Sequence, residues 1–223
     1  MPKTIEQYYD FLSSVYDQKT PEFARLPCKK AVEIIQRNEI TNVGKLLDLW
    51  CGTGQVLDEL ITANISNDGY VWIDISSKMI EIIKTKYPDI KTSKIDIEEK
   101  FDTVKWKFDT IIMIWLFEFL TKKDYVLNHI CDKLKKWWYF LFSFEEFVDW
   151  HSIQRDKHSP MGKVWNAPIH PLTDFDNFRY TVDEIKDVLK DKFEVIDQEK
   201  FIWYYKTQDR IAIYYTNILC KKI

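Results

Sequence analysis

From residue 45 onward the chain alternates short apolar runs with helical patterns, and no other feature restricts its fold so strongly. The runs "KLLDLW" (45–50), "GYVWIDI" (69–75), "KTSKIDI" (91–97), "FDTIIMI" (108–114) and "WWYFLFSF" (137–144) are rich in β-branched or aromatic residues. Between most of them, over 54–64, 77–87 and 121–135, apolar residues recur at three- and four-residue spacing. Strands and helices in this order predict right-handed βαβ units, hence an α/β, Rossmann-like, mostly parallel sheet with helices on both faces.

The alternation has boundaries. "TIEQYYDFLSSVYD" (4–17) and "TPEFARLPCKKAVEIIQRN" (20–38) read as two helices, the second interrupted at Pro27, so that residues 1–40 form a helical N-terminal cover. Residues 145–180, with three His, three Pro and several aromatics, show no clear period and read as an insertion long enough to serve as a substrate lid. "TVDEIKDVLKD" (181–191) is a helix with a capping box at Thr181 and Glu184. "FEVIDQEKFIWYY" and "RIAIYYTNILCKK" then predict a C-terminal antiparallel hairpin that brings the sheet to seven strands, and residues 1–223 make one domain.

Composition narrows the function. With 46% hydrophobic and 30% charged residues the chain is globular, and a net charge of -3 without a basic stripe argues against nucleic acid as partner. No apolar run approaches the roughly 20 residues of a bilayer span, and no signal-peptide succession opens the chain, so a cytoplasmic location is expected. Cys28, Cys51, Cys131 and Cys220 are far apart with no CxxC pair, and the His residues lack ligand spacing, so no metal site is expected.

Chemistry concentrates at the strand ends. In open parallel sheets ligands bind outside the carboxyl ends of the strands. The first strand ends at Asp48–Trp50, and the glycines after it open a helix whose free N–H groups favour an anionic ligand group. Asp74 ends the next strand, placed as a carboxylate that accepts from both hydroxyls of a ribose. Asp96, in "KIDIEE", closes the third strand, where it and its neighbouring backbone can meet an adenine edge.

With these residues in place, the sequence resembles a class I S-adenosylmethionine-dependent methyltransferase, of the small type labelled methyltransferase domain 11 or 25. The family's LDLGCGTG, GxDxS and LKPGG stand here as "LDLWCGTG", "GYVWIDIS" and "LKKWWYFLFS", and the resemblance spans roughly residues 8–220, including "YYDFLSSVYD" as a cofactor cover. It implies S-adenosyl-L-methionine as cofactor and methyl transfer to an acceptor, taken here as a small molecule. It further implies that Asp48, Trp50, Cys51, Gly52 and Gly54 surround the cofactor's methionine part. Asp74 would hold the ribose, Ile75 pack on the adenine, Asp96 and Ile97 read its edge, and Ile114 lie under the sulfonium. Tyr9, Glu118, His151, His158 and His170 are candidate proton acceptors. Protein or RNA methylation is the alternative within enzymes, and a binding module that has lost its cofactor is the alternative outside them. An NAD-binding Rossmann enzyme fits poorly, because GxGxxG is absent.

One departure from the family is systematic. Trp50, Trp72, Trp137 and Trp138 occupy family glycine positions, in a chain with 9 Trp and only 5 Gly where roughly 16 are expected. Glycine serves where φ is positive or the backbone must touch a ligand, whereas tryptophan adds a side chain of roughly 150–250 Å². The codon UGA is read as Trp in some genetic codes and as Gly in others, so reading the gene with the wrong table makes this one exchange. Trp106, Trp115, Trp150, Trp165 and Trp203 are further candidates, while tryptophans that truly pack a core are the opposing reading.

Overall fold

The computed structural model describes residues 4–14, 16, 25–150, 154–160, 176–206 and 211–223. Seven strands form one sheet: β1 (Lys45–Leu49), β2 (Gly69–Asp74), β3 (Lys91–Lys94), β4 (Phe108–Met113), β5 (Leu134–Glu145), β8 (Phe193–Lys206) and β9 (Ile211–Lys222), in the spatial order β3-β2-β1-β4-β5-β9-β8. Strands β1 to β5 pair in parallel, and β9 pairs antiparallel with both β5 and β8. A small separate pair, β6 (His158–Pro160) with β7 (Asp176–Phe178), lies in the expected insertion. Strand order reverses beside β1, which puts the switch point at the motif-bearing strand.

Among the described residues the helices are α1 (Ile5–Leu12), α2 (Leu26–Arg37), α3 (Gln55–Thr62), α4 (Ser77–Lys86), α5 (Ile97–Lys100), α6 (Lys123–Lys133) and α7 (Val182–Leu189). One apolar cluster, with Phe101, Ile130, Leu134, Ile185 and Leu189, fills one side of the sheet, and a second, with Ala31, Ile35, Leu57, Leu60 and Ile83, fills the other. Pro27 lies in the first turn of α2, which starts at Leu26, where no N–H is needed; residues 20–24 of the expected helix lie outside the described residues. One local expectation changes. Strand β3 stops at Lys94, and Asp96 instead caps α5, its Oδ1 accepting from the Glu98 N–H at 2.9 Å. Thr181 and Glu184 form the expected capping box on α7.

Strand β5 begins three residues before the expected Trp137. Its register against β4 jumps between Phe108↔Leu134 and Thr110↔Tyr139, so residues 135–138 form a bulge. Trp137 sits in that bulge at φ 70°.

Candidate active site

The motif loop is tied to the neighbouring strand by backbone chemistry. The Trp50 N–H donates to the Ile73 carbonyl at 2.8 Å, the Gly52 N–H to Asp74 Oδ2 at 3.0 Å, and the Gly54 N–H to the Cys51 carbonyl at 2.9 Å. To make these bonds the loop takes left-handed backbone at alternate residues: Trp50 at φ 69°, Gly52 at 53° and Gly54 at 87°. Two of the three are glycine, which adopts this conformation without steric penalty, and Trp50 is not.

Asp74 is 2% exposed. Its Oδ1 accepts from the Ser76 N–H at 2.8 Å while Oδ2 holds Gly52, so it acts as the joint between the loop and α4. Burial pushes its carboxyl up to about 7, against the pull of the Ser76, Gly52 and Ile75 N–H groups. Each carboxylate oxygen keeps a second acceptor site beyond its backbone bond.

Helix α1 closes over this end of the sheet. Tyr8, Tyr9 and Leu12 pack with Met79 and Phe119, and Asp10 Oδ1 accepts from the Ser76 hydroxyl at 2.6 Å and the Lys78 N–H at 3.2 Å.

Two cavities lie under the cover. The first, of about 290 Å³, is bounded by Asp74, Ile75, Asp96, Ile97, Leu116 and Phe119 among others. The second, of about 30 Å³, is bounded by Tyr9, Cys51, Gly52, Thr53, Gln55 and Ile114 among others. Trp50 borders both, and its ring meets Tyr9 edge-on with centroids 4.9 Å apart. Asp48 and Gly54 border neither. Asp48 is buried, its Oδ2 accepts from the Tyr70 hydroxyl at 2.8 Å, and burial pushes its carboxyl up to about 8. Gly54 starts α3, and a Cβ there would meet the Trp72 ring at 3.2 Å.

Glu118 lies in a single 3-10 turn (Phe117–Phe119) directly after β4 and is 1% exposed. Its Oε1 accepts from the Tyr215 hydroxyl at 2.8 Å, while Oε2 is buried with no hydrogen-bond partner among the described residues. Burial pushes this carboxyl up to about 8, with the Tyr215 bond and a backbone bond opposing. Of the histidines named above, His151 and His170 lie outside the described residues. His158 is exposed, 2.7 Å from Asp176 Oδ1, and stacks on Phe178.

Sequence reading did not anticipate a buried polar cluster at the end of β5. Glu145 accepts from Asn177 and Arg179, each at 2.6 Å, and from Gln154 at 3.2 Å. These partners lie 9 to 34 residues away, so no local pattern announces the cluster. Among the described residues no group of His, Cys, Asp and Glu could hold a metal ion, and no helix is long and apolar enough to cross a membrane.

A family model described as a methyltransferase domain matches residues 47–136, the segment from β1 into the start of β5. Solved structures share the fold. An S-adenosylmethionine-dependent methyltransferase from Clostridium acetobutylicum is 15% identical with TM-score 0.67, over 96% of this chain and 98% of its own. Magnesium protoporphyrin IX methyltransferase from Synechocystis PCC 6803, with bound SAM, is 12% identical with TM-score 0.66, over 98% and 95%. N-methyltransferase NodS from Bradyrhizobium japonicum, in complex with S-adenosyl-L-homocysteine, is 11% identical with TM-score 0.67, over 97% of each chain. A comparison of the sequence with curated proteins finds no match. Identities this low speak to the fold. Residues 47–136 match a methyltransferase domain, and the whole chain has the fold of S-adenosylmethionine-dependent methyltransferases, whose cofactor is S-adenosyl-L-methionine.

The site fits that cofactor in one half only. The larger cavity offers carboxylates for a ribose and apolar walls for a base, and its volume is near the lower end of the roughly 300–1,000 Å³ of small-molecule sites. The smaller one, at about 30 Å³, holds little more than a water molecule.

Proposed function

We propose that this chain methylates a small-molecule acceptor carrying an N–H or O–H group, seated beside Glu118 at the C-terminal ends of β4 and β5. Glu118 is the observation that carries the acceptor side of this reading. A fully buried carboxyl oxygen without a partner costs free energy, and an acceptor that donates to it supplies the missing bond. The carboxyl's position near 8 suits a group that takes up a proton close to neutral pH.

The nucleoside half gives Asp74 to the ribose hydroxyls, with Ile75 and Ile97 against the base and Asp96 at its edge. When bound, the cofactor supplies an electrophilic methyl group. The chain's own contribution is to bind and orient the reactants, exclude water under α1, and take the acceptor's proton at Glu118 Oε2. The described residues of 145–180, held together by the buried Glu145–Arg179 ion pair, would wall the acceptor side. Two of the structural neighbours support this choice of acceptor by their names: one acts on magnesium protoporphyrin IX, and the other is an N-methyltransferase.

The test uses the Trp50→Gly protein, methyl-labelled cofactor and a cell extract fractionated by size. Label is expected in a small-molecule product, at a rate that rises with pH up to about 8 and loses that limb in Glu118→Gln. Glu118→Gln should lower the rate about a hundredfold while adenosine binding stays within about threefold. Label confined to protein or RNA would overturn the small-molecule acceptor, and an unchanged pH profile would overturn the role of Glu118.

A further inference from the structure

We propose that Trp50 partitions the cofactor cleft, so that the chain as written takes a nucleoside such as adenosine but not a nucleoside bearing an amino-acid tail. The inference rests on the assignment of the larger cavity to the nucleoside. Trp50 is the one described residue that borders both cavities, and its indole packs edge-on against Tyr9, which lines the smaller one. A ligand long enough to reach from Asp74 toward Thr53 and Gln55 must cross the position of that ring. The backbone cannot swing the ring aside cheaply, because the Trp50 and Gly52 N–H groups are bonded to β2. Residue 50 thereby decides between two ligand classes at one site, and glycine there joins the cavities.

Calorimetry with adenosine and with S-adenosylhomocysteine, on the written chain and on Trp50→Gly, tests this. Adenosine is expected to bind both proteins within about threefold, while S-adenosylhomocysteine binds Trp50→Gly at least about tenfold tighter. Equal affinity of both proteins for S-adenosylhomocysteine overturns the partition and leaves the nucleoside assignment standing. Adenosine binding to neither protein overturns the nucleoside assignment and the partition with it. Trp50→Ala provides the same readout should the glycine variant fail to fold.

A second inference stands on different observations. Among the described residues, five other than glycine have left-handed backbone: Glu39, Trp50, Asn64, Trp115 and Trp137. Glu39 and Asn64 each follow a helix C-terminus, where a left-handed residue commonly ends the helix. The remaining three are all tryptophan: one in the motif loop, one directly after β4 and one in the β5 bulge. A bulky residue in this conformation is an outlier, and three of one type at separate sites have a single cause. We infer that the native residue at positions 50, 115 and 137 is glycine. Trp72 and Trp138 have no left-handed backbone to require glycine. Peptide sequencing of the protein from its natural source is expected to read glycine at 50, 115 and 137. Tryptophan at these three positions overturns the inference.

Discussion

The two cavities share one loop and one cover, yet one holds about 290 Å³ and the other about 30 Å³. The larger cavity, which we propose for the nucleoside, is shaped by strand ends, where Asp74 and Asp96 accept backbone hydrogen bonds. The smaller cavity, which we propose for the amino-acid tail, is bordered by Trp50, a left-handed residue that carries an indole where the family has glycine. Features written into hydrogen-bonded strand ends survive a change of side chain, whereas features written as the absence of a side chain do not.

The same contrast separates the tryptophans, and substitutions can break it. The largest effect is expected at Trp72, which is 0% exposed and meets Tyr70 and Tyr87 edge-on at 5.2 and 5.4 Å. Trp72→Gly should cost about 3–5 kcal/mol in denaturant unfolding, as expected for emptying a large buried site. A neutral or stabilising result would place Trp72 with Trp50 instead.

Within the nucleoside half, Asp74→Ala should weaken adenosine binding about a hundredfold in calorimetry, through loss of charge-assisted hydrogen bonds. Asp48→Asn should leave adenosine affinity unchanged, since Asp48 borders neither cavity. Equal effects of the two substitutions would contradict the placement of the ribose.

Proton uptake gives a third handle. Burial raises Asp48 and Glu118 to about 8 and Asp74 to about 7, all above their unfolded values, so between roughly pH 5 and 8 the folded chain binds more protons than the unfolded one. Stability should therefore fall as pH rises through that window, by up to about 1.4 kcal/mol per pH unit for each group. Asp48→Asn should flatten the slope, and a stability that rises from pH 5 to 8 would contradict these shifts.

The smallest effect is expected at Trp137, which is 56% exposed and anchored mainly by Lys136 and Lys221 over its ring. Trp137→Gly should stabilise the fold by about 1 kcal/mol, because relief of left-handed strain outweighs little lost packing. Destabilisation there would argue for a genuine tryptophan.

Much of this architecture was legible because it rests on local pattern. The periods of β1, β2 and β4 place the motif loop and Asp74, and the Thr181–Glu184 box places α7. What escaped depends on distant pairing. Asp48 is read as a cofactor residue, and nothing local announces that Tyr70, 22 residues on and in the next strand, donates to it. The Glu118–Tyr215 bond joins residues 97 apart, and the Glu145 cluster gathers side chains from the far side of the insertion. Motif comparison flagged Trp50 and Trp137 as glycine positions, but only the backbone distinguishes them from Trp72 and Trp138 and raises Trp115 beside them.

The most direct measurement is a crystal structure of Trp50→Gly grown with S-adenosylhomocysteine. The account predicts the ribose on Asp74, the base between Ile75 and Ile97, and the amino-acid tail crossing position 50 toward Thr53 and Gln55. A ligand bound elsewhere, or a tail that leaves the cleft without passing residue 50, would contradict it.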